Sequence, residues 1–135
     1  EKQDLLGLLD ILDVNYLGWA RDMAPLIMGV PDRPELGEEL TESFCRTDPD
    51  IARHFAKVTF LFDHREDVKM ITQPTLVLQC RDDALVPPTV WTWLMDNMQN
   101  ADHVILDATG HCPHVSYPEA TTEALVEFVR PRVVS

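Results

Sequence analysis

Residues 75–80, Thr-Leu-Val-Leu-Gln-Cys, form a short and nearly continuous apolar run, with Pro74 before it and charges after it. This is the pattern of a strand buried on both faces of a parallel sheet, where crossover helices cover both sides. Asp82 and Asp83 stand at its carboxyl end, and Pro87-Pro88 can open a helix from its first turn. A second run at 103–107, His-Val-Ile-Leu-Asp, leads into Gly110-His111. Ligands and catalytic groups in open α/β sheets collect at the carboxyl ends of strands. The chain therefore offers an acid after one strand and a histidine after the next. These are two members of a Ser-His-Asp triad, in the chain order nucleophile, acid, base. The nucleophile is missing: Ser43, Ser116 and Ser135 are the only serines, and none lies in a Gly-x-Ser-x-Gly elbow.

Everything before residue 63 reads as helix. Leu5, Leu8, Leu9 and Leu12 recur at the spacing of an amphipathic helix. Asn15 can cap a second helix that carries Tyr16, Trp19, Ala20 and Met23 toward a stop at Gly29, with Pro25 predicting a kink or an early end. Val30-Pro31-Asp32-Arg33-Pro34 reads as a linker. A third helix then carries Leu36, Leu40, Phe44 and Cys45, and Thr47-Asp48-Pro49-Asp50 opens a fourth with Ile51, Phe55, Val58, Thr59 and Phe62. After the first strand, Val90, Trp93, Leu94 and Met98 line one face of a helix. A last helix opened by Pro118 turns Leu125, Phe128 and Val129 inward. The expected order is four helices, strand, helix, strand, loop, helix. Two parallel strands joined by one crossover do not make a stable sheet alone and leave apolar edges unpaired. The expectation is the C-terminal part of a larger α/β fold, with 1–63 a helical lid and 64–135 part of the core.

A net charge of -12 over 135 residues argues against nucleic acid or an anionic membrane as partner, since both select basic patches. No apolar run approaches the roughly 18 residues of a membrane span, and no basic-then-apolar leader stands at the amino end. The three cysteines, Cys45, Cys80 and Cys112, follow no repeating spacing and read as reduced thiols of a cytoplasmic protein.

An acid–histidine pair works when the carboxylate accepts a hydrogen bond from one imidazole nitrogen, leaving the other to take and return the nucleophile's proton. Successive side chains diverge where a strand ends, so one of Asp82 and Asp83 faces the site, and spacing does not say which. The bland alternative is a solvated, helix-capping Asp-Asp turn. His111-Cys112-Pro113-His114 offers three ligand types but no second spaced pair, so no metal site and no cofactor is expected. His54, His64 and His103 read as surface histidines, and Tyr16, Trp19, Met23, Phe55 and Phe60 as packing residues. Apolar helices placed over a catalytic loop would also make a ligand pocket.

Five segments together resemble the RsbQ-like bacterial α/β-hydrolases and their plant relatives, the strigolactone and karrikin receptors. They are Asn15-Tyr16-Leu17-Gly18-Trp19, Thr47-Asp48-Pro49, Asp63-His64-Arg65-Glu66-Asp67, Leu78-Gln79-Cys80-Arg81-Asp82-Asp83 and Gly110-His111-Cys112-Pro113-His114. The likeness runs over residues 5–129 and corresponds to the second half of such proteins. It implies an α/β-hydrolase fold with a four-helix lid, Asp83 as triad acid and His111 as triad base. It also implies Trp19, Met23 and Phe60 as lid residues lining the pocket.

Three functions follow as expectations. Joined to an N-terminal half of the same fold, the chain would hydrolyse an ester- or lactone-like bond in a small apolar ligand through an acyl-serine. The resemblance also supports a ligand-sensing regulator of stress or hormone signalling, with slow hydrolysis and a protein partner docked on an acidic lid. The third is a non-catalytic fragment, or a split or swapped assembly whose N-terminal half is on the same or a separate polypeptide. The chain alone is expected to be inactive.

Overall fold

Asn15 separates the first two helices: α1, Lys2–Val14, ends before it, and its side chain accepts from the Gly18 amide to start α2, Tyr16–Met28. The computed structural model describes residues 2–133. The side chains of 2–6 and 8 lie outside the described residues, so the expectation for Leu5 and Leu8 falls outside them, as does Ser135. α2 does not break at Pro25. It continues to Met28, and Gly29 caps it in the left-handed region with its amide on the Pro25 carbonyl. The proline forfeits one helical hydrogen bond, and packing retains the helix: a Cβ on Gly37 would lie 3.2 Å from the Pro25 Cα.

α3 spans Pro34–Arg46 and α4 spans Pro49–Leu61, each with proline in its first turn; Asp48 caps α4 by accepting from the Asp50 and Ile51 amides. Leu9, Leu12, Tyr16 and Ala56 form the buried centre of these four helices, with Trp19, Phe44, Ala52 and Phe60 against it. Each fully buried leucine there contributes about 1.5–3 kcal/mol relative to exposure. The expected α4 face is turned the other way: Ile51 and Phe55 are two-thirds exposed, and Ala52, Ala56 and Phe60 pack inward. Cys45 of α3 is also exposed.

The charged stretch after α4 folds as a short helix, α5 (Arg65–Lys69), which periodicity does not foresee over five residues. β1 (Thr75–Asp82), α6 (Pro88–Asn97) and β2 (Ala101–Thr109) follow, then α7 (Pro113–Ser116) and α8 (Pro118–Val133). β1 and β2 pair in parallel, the whole sheet among the described residues. Both strands outrun their apolar runs, because backbone pairing continues through the polar residues at the ends. Only Gln79 and Cys80 of β1 are buried; Thr75 to Leu78 are half-buried, not covered on both faces as expected. On α8, Thr121 and Ala124 are the buried residues and Leu125 and Val129 are nearly half exposed, against the inward face expected for them. Apolar periodicity locates a face but not the element that covers it.

The register runs from Thr75 opposite Ala101 to Cys80 opposite Leu106, then shifts so that Asp82 lies opposite Thr109. Arg81 alone therefore faces Asp107 and Ala108, a bulge on β2, and the Arg81 guanidinium donates to Asp107 Oδ1 at 2.6 Å across it. A bulge adds local twist and re-aims the residues beyond it. Here those residues are Thr109, Gly110 and His111.

Candidate acid–histidine site

At the carboxyl end of β1 the two aspartates part. Asp82 is the last strand residue and is exposed, and its carbonyl accepts from the Gly110 amide at 2.8 Å. Asp83 has left the strand and turns inward, its side chain 7% exposed. Its Oδ1 accepts from the Leu85 and Val86 amides at 2.8 and 3.0 Å, and its Oδ2 lies 2.8 Å from His111 Nδ1. Three donors thus hold this carboxylate in one orientation, each bond to its charge stronger than a neutral one. The Nδ1–H donates to Asp83, which leaves Nε2 as the free imidazole nitrogen. The His111 side chain is 40% exposed.

His111 is held from above by α2. Its amide donates to the Ile27 carbonyl at 2.6 Å, and Thr109 Oγ1 donates to the Gly29 carbonyl. The two backbones touch at a pair of glycines with positive φ, Gly29 at 66° and Gly110 at 89°. Burial first, and the Asp83 charge second, pushes the thiols of Cys80 and Cys112 up, so both flank the carboxylate as neutral groups.

A cleft of about 390 Å³ opens among the four helices. Trp19, Met23 and Phe60 line it, with Tyr16, Phe44 and Phe55 among its other walls. None of the lining residues is charged, and Thr47 and Thr59 bring the aliphatic hydroxyls. His111 does not itself line the cleft. The cleft reaches the pair through two lining residues, Ile27, whose carbonyl accepts from the His111 amide, and Leu85, whose amide donates to Asp83. The Trp19 indole nitrogen is shielded from solvent and has no hydrogen-bond partner.

The structure brings Asp83 and His111 together and gathers Trp19, Met23 and Phe60 around one cleft beside them. Sequence reasoning misses Ile27, Leu85 and Thr109. Backbone groups or a single hydroxyl do their work, and nothing in residue type or spacing marks them. His103 is not a surface histidine: it is half-buried and stacks on Trp91 at 5.1 Å, and burial pushes its pKa down. The metal-ligand types of the 111–114 loop do not cluster, and no group of three or more His, Cys, Asp or Glu among the described residues could hold a metal ion. No helix among them is long and apolar enough to cross a membrane.

Residues 56–131, more than half of the chain, match the family described as TAP-like protein. The karrikin insensitive 2 receptor IA of Petunia hybrida is 29% identical over 136 residues, covering 100% of this chain and 50% of the receptor. Strigolactone esterase D14 of Arabidopsis thaliana is 28% identical over 131 residues, 96% of this chain and 47% of the esterase. Among solved structures, a hydrolase from Oleispira antarctica superposes with a TM-score of 0.89 at 39% identity, covering 96% of this chain and 48% of that one. The chain spans about half the length of the curated relatives it matches.

Proposed function

Because the chain belongs to the TAP-like family of α/β-hydrolases and matches the C-terminal half of that fold, we propose that it supplies the acid and the base of a serine hydrolase. The nucleophilic serine then lies in the N-terminal half, on the same or a separate polypeptide. The observation that carries this reading is the 2.8 Å contact between Asp83 Oδ2 and His111 Nδ1, with both Asp83 oxygens occupied by donors. A carboxylate fixed in this way selects the tautomer with the proton on Nδ1 and stabilises the imidazolium that forms.

His111 Nε2 takes the proton of the serine hydroxyl as its oxygen adds to an ester carbonyl. It returns that proton to the departing alkoxide as the C–O bond breaks, leaving an acyl-serine. Water then enters and gives a proton to the same nitrogen as its oxygen adds to the acyl carbon; that proton passes to the serine oxygen as the acyl–serine bond breaks, releasing the acid and the free serine. The helices of 1–63 act as the lid, and the cleft walled by Trp19, Met23 and Phe60 takes a small, uncharged, apolar ester or lactone of the RsbQ-like type. An uncharged lining favours such a ligand, because an anion moved there would lose its hydration without a partner. The three free thiols support a cytoplasmic setting.

Ligand sensing with slow turnover is a second reading, favoured by a relative named as a karrikin insensitive 2 receptor. A signalling protein docked on the lid would be its partner. Both readings use the same pocket. The deciding experiment is steady-state hydrolysis of p-nitrophenyl butyrate by the polypeptide in which this chain joins the rest of the fold. Multiple turnovers at about 1 s⁻¹ or more support the hydrolase; turnover slower than that, or a single acylation that stalls, supports the sensor; and no release of p-nitrophenol overturns both.

A further inference from the structure

The imidazole of His111 is too exposed for packing alone to hold it. Besides Asp83, its fixed point is its own backbone amide, tied to the Ile27 carbonyl at the end of α2. What holds that helix end in turn is a closed set of contacts. The segment after Gly29 turns back on itself, with the Arg33 amide donating to the Val30 carbonyl at 2.9 Å and Val30 buried. The Arg33 side chain then reaches across to the far side of the histidine loop. Its Nη2 donates to the carbonyl of Ser116, which is itself buried, and its guanidinium carbon lies 5.6 Å from the centroid of the Tyr117 ring. That is within the range of a cation over an aromatic face. The Tyr117 hydroxyl is 3.2 Å from Thr109 Oγ1, and Thr109 Oγ1 donates back to the Gly29 carbonyl. The ring of contacts therefore runs from Gly29 through Arg33, Ser116, Tyr117 and Thr109 to Gly29 again, with His111 on the loop it encloses.

We propose that Arg33 is a positioning residue for His111: it clasps the α2–α3 linker to α7 and so keeps the Ile27 carbonyl where the His111 amide needs it. Arg33 touches neither Asp83 nor His111 and acts only through the backbone. The role suits arginine, whose planar head can donate in one direction while its face lies against an aromatic ring. The inference rests on the proposed role of His111, and its first readout does not.

That readout is amide hydrogen exchange in the polypeptide carrying this chain with the rest of the fold, comparing the native protein with Arg33→Met and Arg33→Lys. Arg33→Met keeps much of the stem and removes the donors. It should speed exchange of the Gly110 and His111 amides by about tenfold while Leu78 and Val104 in the paired strands stay within about twofold, since local opening is separable from global unfolding. Arg33→Lys, which can still donate to the Ser116 carbonyl, should restore most of the protection. On p-nitrophenyl butyrate, Arg33→Met should lower kcat by about tenfold and leave KM within about twofold, because a displaced base costs the chemical step and not binding. The pH midpoint of kcat should not move.

Uniformly faster exchange across the sheet would make Arg33 merely structural and overturn the proposal. So would unchanged exchange at 110 and 111, whatever happens to kcat. If the native protein hydrolyses no ester, the proposed function falls, and exchange at 110 and 111 still decides the clasp.

Discussion

Gly29 and Gly110 meet backbone to backbone. A Cβ on Gly29 would stand 2.4 Å from the Gly110 nitrogen, and one on Gly110 would stand 2.3 Å from the Met28 carbonyl oxygen. Both residues also hold positive φ, which a side chain disfavours. This contact joins the helices of 1–63 to the loop that carries His111, so either glycine's replacement should separate them. Gly29→Ala and Gly110→Ala are each expected to destabilise by about 2 kcal/mol or more, from strain and overlap together. Gly7→Ala, where nothing lies within 4 Å, should stabilise α1 by about 0.5–1 kcal/mol. Urea unfolding of the three variants checks the contrast.

Asp83→Asn should lower kcat on a chromogenic ester by roughly 10⁴-fold, by analogy with the protease triad, because an amide does not select the same tautomer. Asp82→Asn, at an exposed side chain, should leave the rate within about threefold of native. Equal losses from the two would show that the carboxylates share the role.

Trp19 borders the cleft and also packs on Phe44 at 5.6 Å. Trp19→Ala should raise KM for an apolar ester by about tenfold or more, while costing less than the 3–5 kcal/mol typical of a tryptophan truncated in a closed core. Inhibition constants for a neutral and a carboxylated ligand of the same shape, measured alongside, should differ by at least about tenfold in favour of the neutral one.

His103, half-buried against Trp91, has its pKa lowered by burial. Its charged form is therefore disfavoured in the folded state, and the unfolded chain binds the proton first. Stability from this residue is complete above the unfolded value of about 6.5 and is lost as pH falls through it. Melting temperature should drop between pH 7.5 and 5.5, and His103→Phe, which keeps the stack, should flatten that drop. Identical slopes for the two proteins would remove His103 from the account.

The sequence makes the two strands legible because each is a short apolar run that ends in polar residues, and the caps at Asn15 and Asp48 mark two helix starts. Spacing alone leaves Asp82 and Asp83 equal. The difference between them lies in where β1 stops pairing and in the β2 bulge opposite Arg81, and a bulge has no sequence signal here. The apolar faces of α4 and α8 are equally legible as stripes, but Ile51, Phe55, Leu125 and Val129 emerge exposed. Periodicity reports that a face is apolar; what covers it depends on elements far away in sequence. Arg33 sits in a proline-flanked linker where residue type suggests only a solvated turn.

On the proposed mechanism His111 serves as the base for a serine outside residues 1–135. A fluorophosphonate probe tests it most directly, applied to the polypeptide carrying this chain with the rest of the fold and read by mass spectrometry of the labelled peptide. One labelled serine is expected, beyond residues 1–135, with labelling slowed by at least about 10³-fold in His111→Gln. Residues 1–135 alone should take up no label. Labelling of Ser43, Ser116 or Ser135, or unchanged labelling in His111→Gln, would contradict it.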